Sequence, residues 1–188
     1  MTDTISTMEI LGKLPGHLFK SSNIGICRVP GRVNLIGEHT DYNGLSVLPI
    51  TLDKEVFAAF SLYDNHQVHL TNEDTRFQPT HFINGPVISP SPVGSWDNYV
   101  KAAVVALNKK FKVRSYPGFN LFISSTLPIA SGLSSSSALV IAASLAYLKI
   151  LGKELGKDIS RTELAELMAE AEHFVGTRGG GMDQTIIL

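Results

Sequence analysis

LPIASGLSSSSALVIAASL, residues 127–145, is the stretch from which the rest of the chain can be read. A turn dipeptide and small residues lead to Gly132, Leu133 and four consecutive serines, Ser134, Ser135, Ser136 and Ser137. An apolar run rich in helix formers follows over 138–148. Small residues let the backbone approach a ligand closely. The first turn of a helix offers unpaired amides and the positive end of its dipole, so a helix that starts here is an anion site. Serine hydroxyls add donors for phosphate or oxygens for a magnesium ion. The plainer alternative is a helix cap with spare serines, although four exceed what one cap needs. The chain contains neither G-x-x-x-x-G-K-[ST] nor G-x-G-x-x-G, and the serines do not form the G-x-S-x-G elbow of a hydrolase.

On either side, strand and helix patterns alternate. Residues 1–22 read as a polar lead-in with a short helix before Pro15. Residues 24–29 form a strand candidate that Pro30-Gly31 breaks and 33–36 resume. The stretch 37–44, GEHTDYNG, is a polar loop whose Asn43-Gly44 is a turn signal. Residues 46–50, 55–62 and 67–71 read as strands. The four prolines at 79, 86, 90 and 92 make 75–94 a loop. Ser95 is expected to cap a helix to about Phe111, with Trp96, Tyr99, Val100, Ala103, Val104, Leu107 and Phe111 on one face. A strand at 119–124 precedes the serine stretch, whose helix Gly152 closes. Ser160 and Glu163 make a capping box for a helix that stops at Gly176. Residues 185–188 read as the start of a strand rather than a frayed tail, which suggests that the chain continues into a second domain.

Composition narrows the function. In 188 residues, 44% hydrophobic and 18% charged, there is enough apolar material for a real core. A net charge of −1 leaves no electrostatic footprint for nucleic acid. The longest apolar run is about half the ~20 residues needed to cross a bilayer. The first twenty residues carry Asp3 and Glu9 and lack the apolar core of a signal peptide. The single cysteine, Cys27, excludes an internal disulfide and suits a reducing compartment, so a cytoplasmic protein without membrane or nucleic-acid partners is expected.

Three groups of residues can carry chemistry. In RVNLIGEHTD, residues 32–41, Glu38, His39 and Asp41 have the donors and acceptors a sugar needs, and Arg32 can pair a carboxylate or a phosphoryl group. An ordinary charged hairpin loop is the alternative. Asp183, after three glycines and Met182, is either a turn residue or a placed carboxylate. Arg178 has no assignable role. His66 and His69, three apart on a strand, point to opposite faces and make poor joint zinc ligands; His17, His81 and His173 have no ligand-like spacing. Met168 and Met182 read as core.

Together VPGRVNLIGEHTDYNGLSVLP (29–49), LPIASGLSSSSAL (127–139) and GTRGGGMDQ (176–184) resemble the galactokinases of the GHMP group of small-molecule kinases, with WDNYVKA (96–102) in support. The resemblance implies an α+β fold, the GHMP-kinase N-terminal domain, with a mixed sheet and helices on one side, occupying residues 23–188 and lacking the C-terminal domain. It implies ATP-dependent phosphorylation of the C1 hydroxyl of galactose by a protein that is monomeric when full length. By position, Asp183 matches the catalytic aspartate and Arg32 the arginine beside it. Glu38, His39, Asp41 and Gly180 match sugar contacts. Gly132, Leu133 and Ser134–Ser137 match the phosphate loop, Trp96 part of the adenine pocket, and Ser136 and Glu172 the Mg2+ contacts. GTRGGGMDQ and SGLSSSSAL look closer to N-acetylgalactosamine kinases and HTDYNG to bacterial galactokinases, so either sugar fits. A galactose- and ATP-binding sensor without turnover is the competing function, though such sensors lose serines that are intact here. The family's C-terminal domain helps close over both substrates, so the 188 residues alone are expected to have little activity.

Overall fold

The apolar run at 56–60 explains the sheet. A strand alternates its side chains between two faces. Here Val56 and Ala58 enter one core while Phe57 and Ala59 enter another on the opposite side. A strand apolar on both faces needs cover on both, and the molecule supplies it. The computed structural model describes residues 6–20, 23–37, 43, 45–63, 65–129, 131–176 and 180–188.

Five strands, β1 (Gly25–Ile36), β2 (Leu48–Tyr63), β3 (Gln67–Asn72), β4 (Thr80–Ile83) and β5 (Gly118–Ser125), form one mixed sheet in the order β1-β2-β5-β3-β4. Within this sheet, among the described residues, the β3–β5 pairing is parallel and β1–β2, β2–β5 and β3–β4 are antiparallel. The larger core lies between this sheet and the helices α2 (Asp97–Lys110), α3 (Ser135–Ile150), α4 (Arg161–Ala171) and α5 (Met182–Ile187). This is the expected α+β arrangement with its main helices on one side. The lead-in, through α1 (Thr7–Lys13) and Phe19, covers the other face: Ile10 and Phe19 pack with Phe57, Ala59 and Phe122. It therefore contributes a second core, which its polar composition did not suggest.

Several local expectations change. Pro30-Gly31 does not break the first strand. The register to β2 slips between Pro30 and Arg32, so the pair bulges and continues. Likewise 48–50 of the first candidate and all of 55–62 belong to the single strand β2, while 46 and 47 lie outside it. The proline-rich 75–94 contains β4, an edge strand whose four residues lie between Pro79 and Pro86. α2 begins at Asp97 without a side-chain cap, so Ser95 contributes no capping hydroxyl. Ser160 does accept from the Glu163 amide at 3.1 Å, but the Glu163 carboxylate pairs with Lys110 instead of returning to close the box. Residues 182–187 form helix α5, where a strand start was expected. Gln184 and Ile187, three apart on this helix, are both buried, so packing of one helical face overrides the local preference of Ile186 and Ile187 for a strand.

Gly118 starts β5 where the backbone passes close to the segment at 65–67. A Cβ there would sit 1.8 Å from the Asn65 carbonyl oxygen and 2.5 Å from that of Gln67. Gly118→Ala should lower stability by about 3 kcal/mol, read as an earlier urea midpoint. An unchanged midpoint would show that this approach is not tight.

Candidate functional site

The bulge in β1 begins the site. Gly31 is buried, and a Cβ on it would lie 2.3 Å from Leu127 Cδ2 and 2.9 Å from the Leu133 carbonyl oxygen. Only glycine allows the segment before α3 to lie this close to β1. The approach is held by the Arg32 amide, which donates to the Leu133 carbonyl at 3.2 Å. The Arg32 side chain extends the same attachment: Nη1 donates to the Gly132 carbonyl at 2.7 Å, and Nε to Asp183 Oδ1 at 2.7 Å.

Asp183 stands in the first turn of α5, behind Gly181, whose positive φ of 83° turns the chain into the helix. Its second oxygen, Oδ2, accepts from Ser134 Oγ at 2.5 Å. Three segments distant in sequence thus meet at one carboxylate: β1 through Arg32, the serine turn through Ser134, and α5 itself.

The four serines divide the work. Ser134 occupies the cap position of α3 with φ 55° and ψ 40°, a left-handed conformation unusual for a residue with a side chain, and its hydroxyl makes no cap bond. It serves Asp183 instead. The first backbone bond of α3 runs from the Ala138 amide to the Ser134 carbonyl at 2.9 Å, so the amides of Ser135, Ser136 and Ser137 precede the helical ladder. Ser135 and Ser136 face a cavity of about 550 Å³. Ser137 turns inward, where it is hydrogen-bonded to Glu172 and accepts from Gln184 Nε2 at 3.3 Å. The helix-cap alternative for this stretch is not met at Ser134, whose hydroxyl makes no cap bond.

The cavity is lined by Ser135 and Ser136, by the apolar Val56, Ile123 and Leu139, and by the aromatic Phe77, Trp96 and Tyr99. The Trp96 indole donates to the Gln78 carbonyl at 3.1 Å and meets the Phe77 ring edge-on at 6.3 Å between centroids. Trp96 was singled out from sequence; Phe77 was not, because it sits in the segment read as loop.

Glu172 is buried at 5% exposure and accepts from Gln184 Nε2 at 2.7 Å. Burial raises its pKa above the ordinary carboxyl value, opposed by the Ser137 and Gln184 hydrogen bonds and reinforced by the Asp183 charge. Gln184 carried no signal of its own in the sequence beyond its place beside Asp183. Glu38, His39, Asp41 and Arg178 lie outside the described residues. Gly180 is described and precedes the turn at Gly181. Among the described residues, no group of three or more His, Cys, Asp or Glu could hold a metal ion.

A family model described as the galactokinase galactose-binding signature matches residues 17–62, and one described as the GHMP kinases N terminal domain matches residues 98–188. A galactokinase of Candida maltosa is 34% identical over 84% of this chain and 74% of that protein. The chain belongs to the galactokinase family of GHMP kinases. The first match contains Arg32, and the second contains the serine turn and Asp183. A galactokinase of Candida parapsilosis is 36% identical over 84% of this chain, but the chain spans only 32% of that relative's length. A crystal structure of Lactococcus lactis galactokinase complexed with galactose superposes with a TM-score of 0.85 at 29% identity, covering 97% of this chain and 46% of that one.

The Glu172 environment predicts a pH dependence. A carboxyl group whose pKa is raised on folding stabilises the fold fully below its unfolded value, and this contribution is lost as pH rises through the folded value. Glu172→Gln keeps an acceptor for Gln184 and removes the cost of a buried charge. The variant should gain stability relative to wild type as pH rises from 4 to 8, measured by urea unfolding across that range. A constant difference at every pH would overturn the assignment.

Proposed function

We propose that this chain carries the phosphoryl-transfer site of an ATP-dependent kinase that phosphorylates the C1 hydroxyl of galactose. The observation that carries the proposal is the carboxylate of Asp183, held by Arg32 on one oxygen and Ser134 on the other, beside a cavity entered by the start of α3.

Phosphoryl transfer is mostly positioning and charge stabilisation. Each carboxylate oxygen accepts more than one hydrogen bond, so Asp183 can hold the sugar hydroxyl while keeping Arg32 and Ser134. As that hydroxyl attacks, Asp183 takes its proton. The Arg32 guanidinium stabilises the negative charge that develops on the transferred group. Gly132, Leu133 and Ser134–Ser137 would cradle the triphosphate with their amides, Ser135 and Ser136 adding hydroxyls, and the aromatic residues around Trp96 would take the base. Glu38, His39, Asp41 and the Gly180 backbone would hold the sugar. The hydroxyl oxygens at the start of α3 suit a hard cation; Ser136 and Glu172 would hold Mg2+, which would supply positive charge against the triphosphate. No helix among the described residues is long and apolar enough to cross a membrane. The proposal places the protein in the cytoplasm.

Calorimetric titrations with Mg-ATP, galactose and N-acetylgalactosamine, paired with an assay of sugar-dependent ADP release at high protein concentration, test this. The 188 residues alone are expected to turn over slowly, since the relative from Candida parapsilosis is about three times as long. Asp183→Asn should bind Mg-ATP and galactose almost as wild type does and lose roughly 10²–10⁴-fold in ADP release. Binding of both ligands with no ADP release by the wild type would instead support a sensor. An Asp183→Asn variant as active as wild type would remove the catalytic role.

A further inference from the structure

Residues 96–102, WDNYVKA, bury three polar side chains on a helix whose inward positions are otherwise apolar. Asp97, Asn98 and Lys101 are 3%, 4% and 5% exposed. They do not satisfy one another alone. Lys101 Nζ lies 2.9 Å from Asp97 Oδ2 and donates to Ser91 Oγ at 2.7 Å, and Ser91 Oγ donates to Asp97 Oδ2 at 2.6 Å. Asn98 completes the attachment: its Oδ1 accepts from the Ser91 amide at 2.8 Å, and its Nδ2 donates to the carbonyls of Ser91 at 3.1 Å and Pro92 at 3.3 Å. Lys101 also stands 5.5 Å over the Phe82 ring of β4.

A buried ion pair is weak grounds for stability, because well-packed apolar residues serve as well or better. What these bonds do is fix a place. They bind an irregular, proline-containing stretch to the first two turns of α2, and the chain between the two attachment points is the turn at 92–95, closed by the Ser95 amide on the Pro92 carbonyl at 3.1 Å. The residue that leaves this turn is Trp96. α2 has no side-chain cap to set its start, so the knot takes over that task.

We propose that Asp97, Asn98 and Lys101 are positioning residues for the nucleotide: by gripping Ser91 and Pro92 they hold Trp96 in the cavity wall where the base is to stack. This rests on the ATP-site assignment for that cavity. The geometry makes the base end of the site depend on residues that never touch the ligand. It also accounts for a segment whose polar residues have no other role in the site.

Trp96 is the protein's single tryptophan, so its fluorescence reports on this wall alone. In the paired variant Asp97→Asn/Lys101→Met both charges go together and no unpaired charge is left inside. Its nucleotide-free emission should move to longer wavelength as the indole loses its fixed place. Its affinity for Mg-ATP, followed by Trp96 quenching, should fall about tenfold or more, while calorimetric affinity for galactose stays within about twofold. Ser91→Ala, which removes the bridging hydroxyl and no charge, should shift both readouts the same way by less and decides the matter if the paired variant does not fold. Wild-type emission and wild-type Mg-ATP affinity in a folded variant would overturn the proposal, as would equal losses for nucleotide and galactose. If wild-type Trp96 does not respond to Mg-ATP, the assignment of the cavity to ATP falls, and the nucleotide-free emission still decides whether the knot places the indole.

Discussion

The Arg32 guanidinium is the constraint on which the site depends. From one strand it reaches the Gly132 carbonyl, before α3, and the Asp183 carboxylate, on the last helix, both at 2.7 Å. The pair with Asp183 is partly buried, with side chains 14% and 25% exposed. At that depth the attraction between the charges is largely offset by their desolvation, so the pair adds little to stability. Its effect is geometric. It orients a carboxylate 151 residues away in the chain relative to a turn that carries three consecutive helix-start amides.

The same economy appears in the backbone. Gly31 has no side chain because the Leu133 carbonyl lies too close for one. Ser134 does have a side chain and adopts a left-handed conformation anyway. Such strain costs on the order of 1 kcal/mol and persists only where surrounding contacts over-determine it. Here the Ser134 hydroxyl is spent on Asp183, and a glycine would relieve the strain but lose that bond. The bulge and the strained serine are two local departures from regular structure, and both serve the meeting point at Arg32.

Much of this was legible in the sequence, and what was not follows a pattern. The helices α2, α3 and α4 carry apolar periodicity or uninterrupted helix formers, so their existence was plain. The serine stretch, Arg32 and Asp183 stood out by residue type and position with plainer alternatives open, and Trp96 entered the site only through the resemblance to galactokinases. What escaped depended on tertiary contacts. β4 is only four residues between prolines and exists because β3 offers it an edge. α5 was mistaken for a strand because Ile186 and Ile187 prefer one, and only packing of Gln184 and Ile187 makes it helical. The knot of Asp97, Asn98 and Lys101 was invisible because buried polar residues break the amphipathic rule by which helices are read. The Gln184 bridge between Ser137 and Glu172 likewise joins residues that no local pattern connects.

α5 shows what this dependence costs. A six-residue helix is too short to be stable in water by itself. Its place is set by Ile187 in the main core and by Gln184 against Ser137 and Glu172, and only then does Asp183 face Arg32. The orientation of the carboxylate therefore depends on three placements at once: β1 paired with β2, the serine turn docked on its bulge, and α5 packed on the core. Contacts of such long sequence separation are costly in chain entropy, and the surrounding packing offsets that cost. A site built this way has few partly formed versions. When the sheet, the serine turn and the final helix are in place the carboxylate has both its partners, and when any one is missing it has lost the group that orients it.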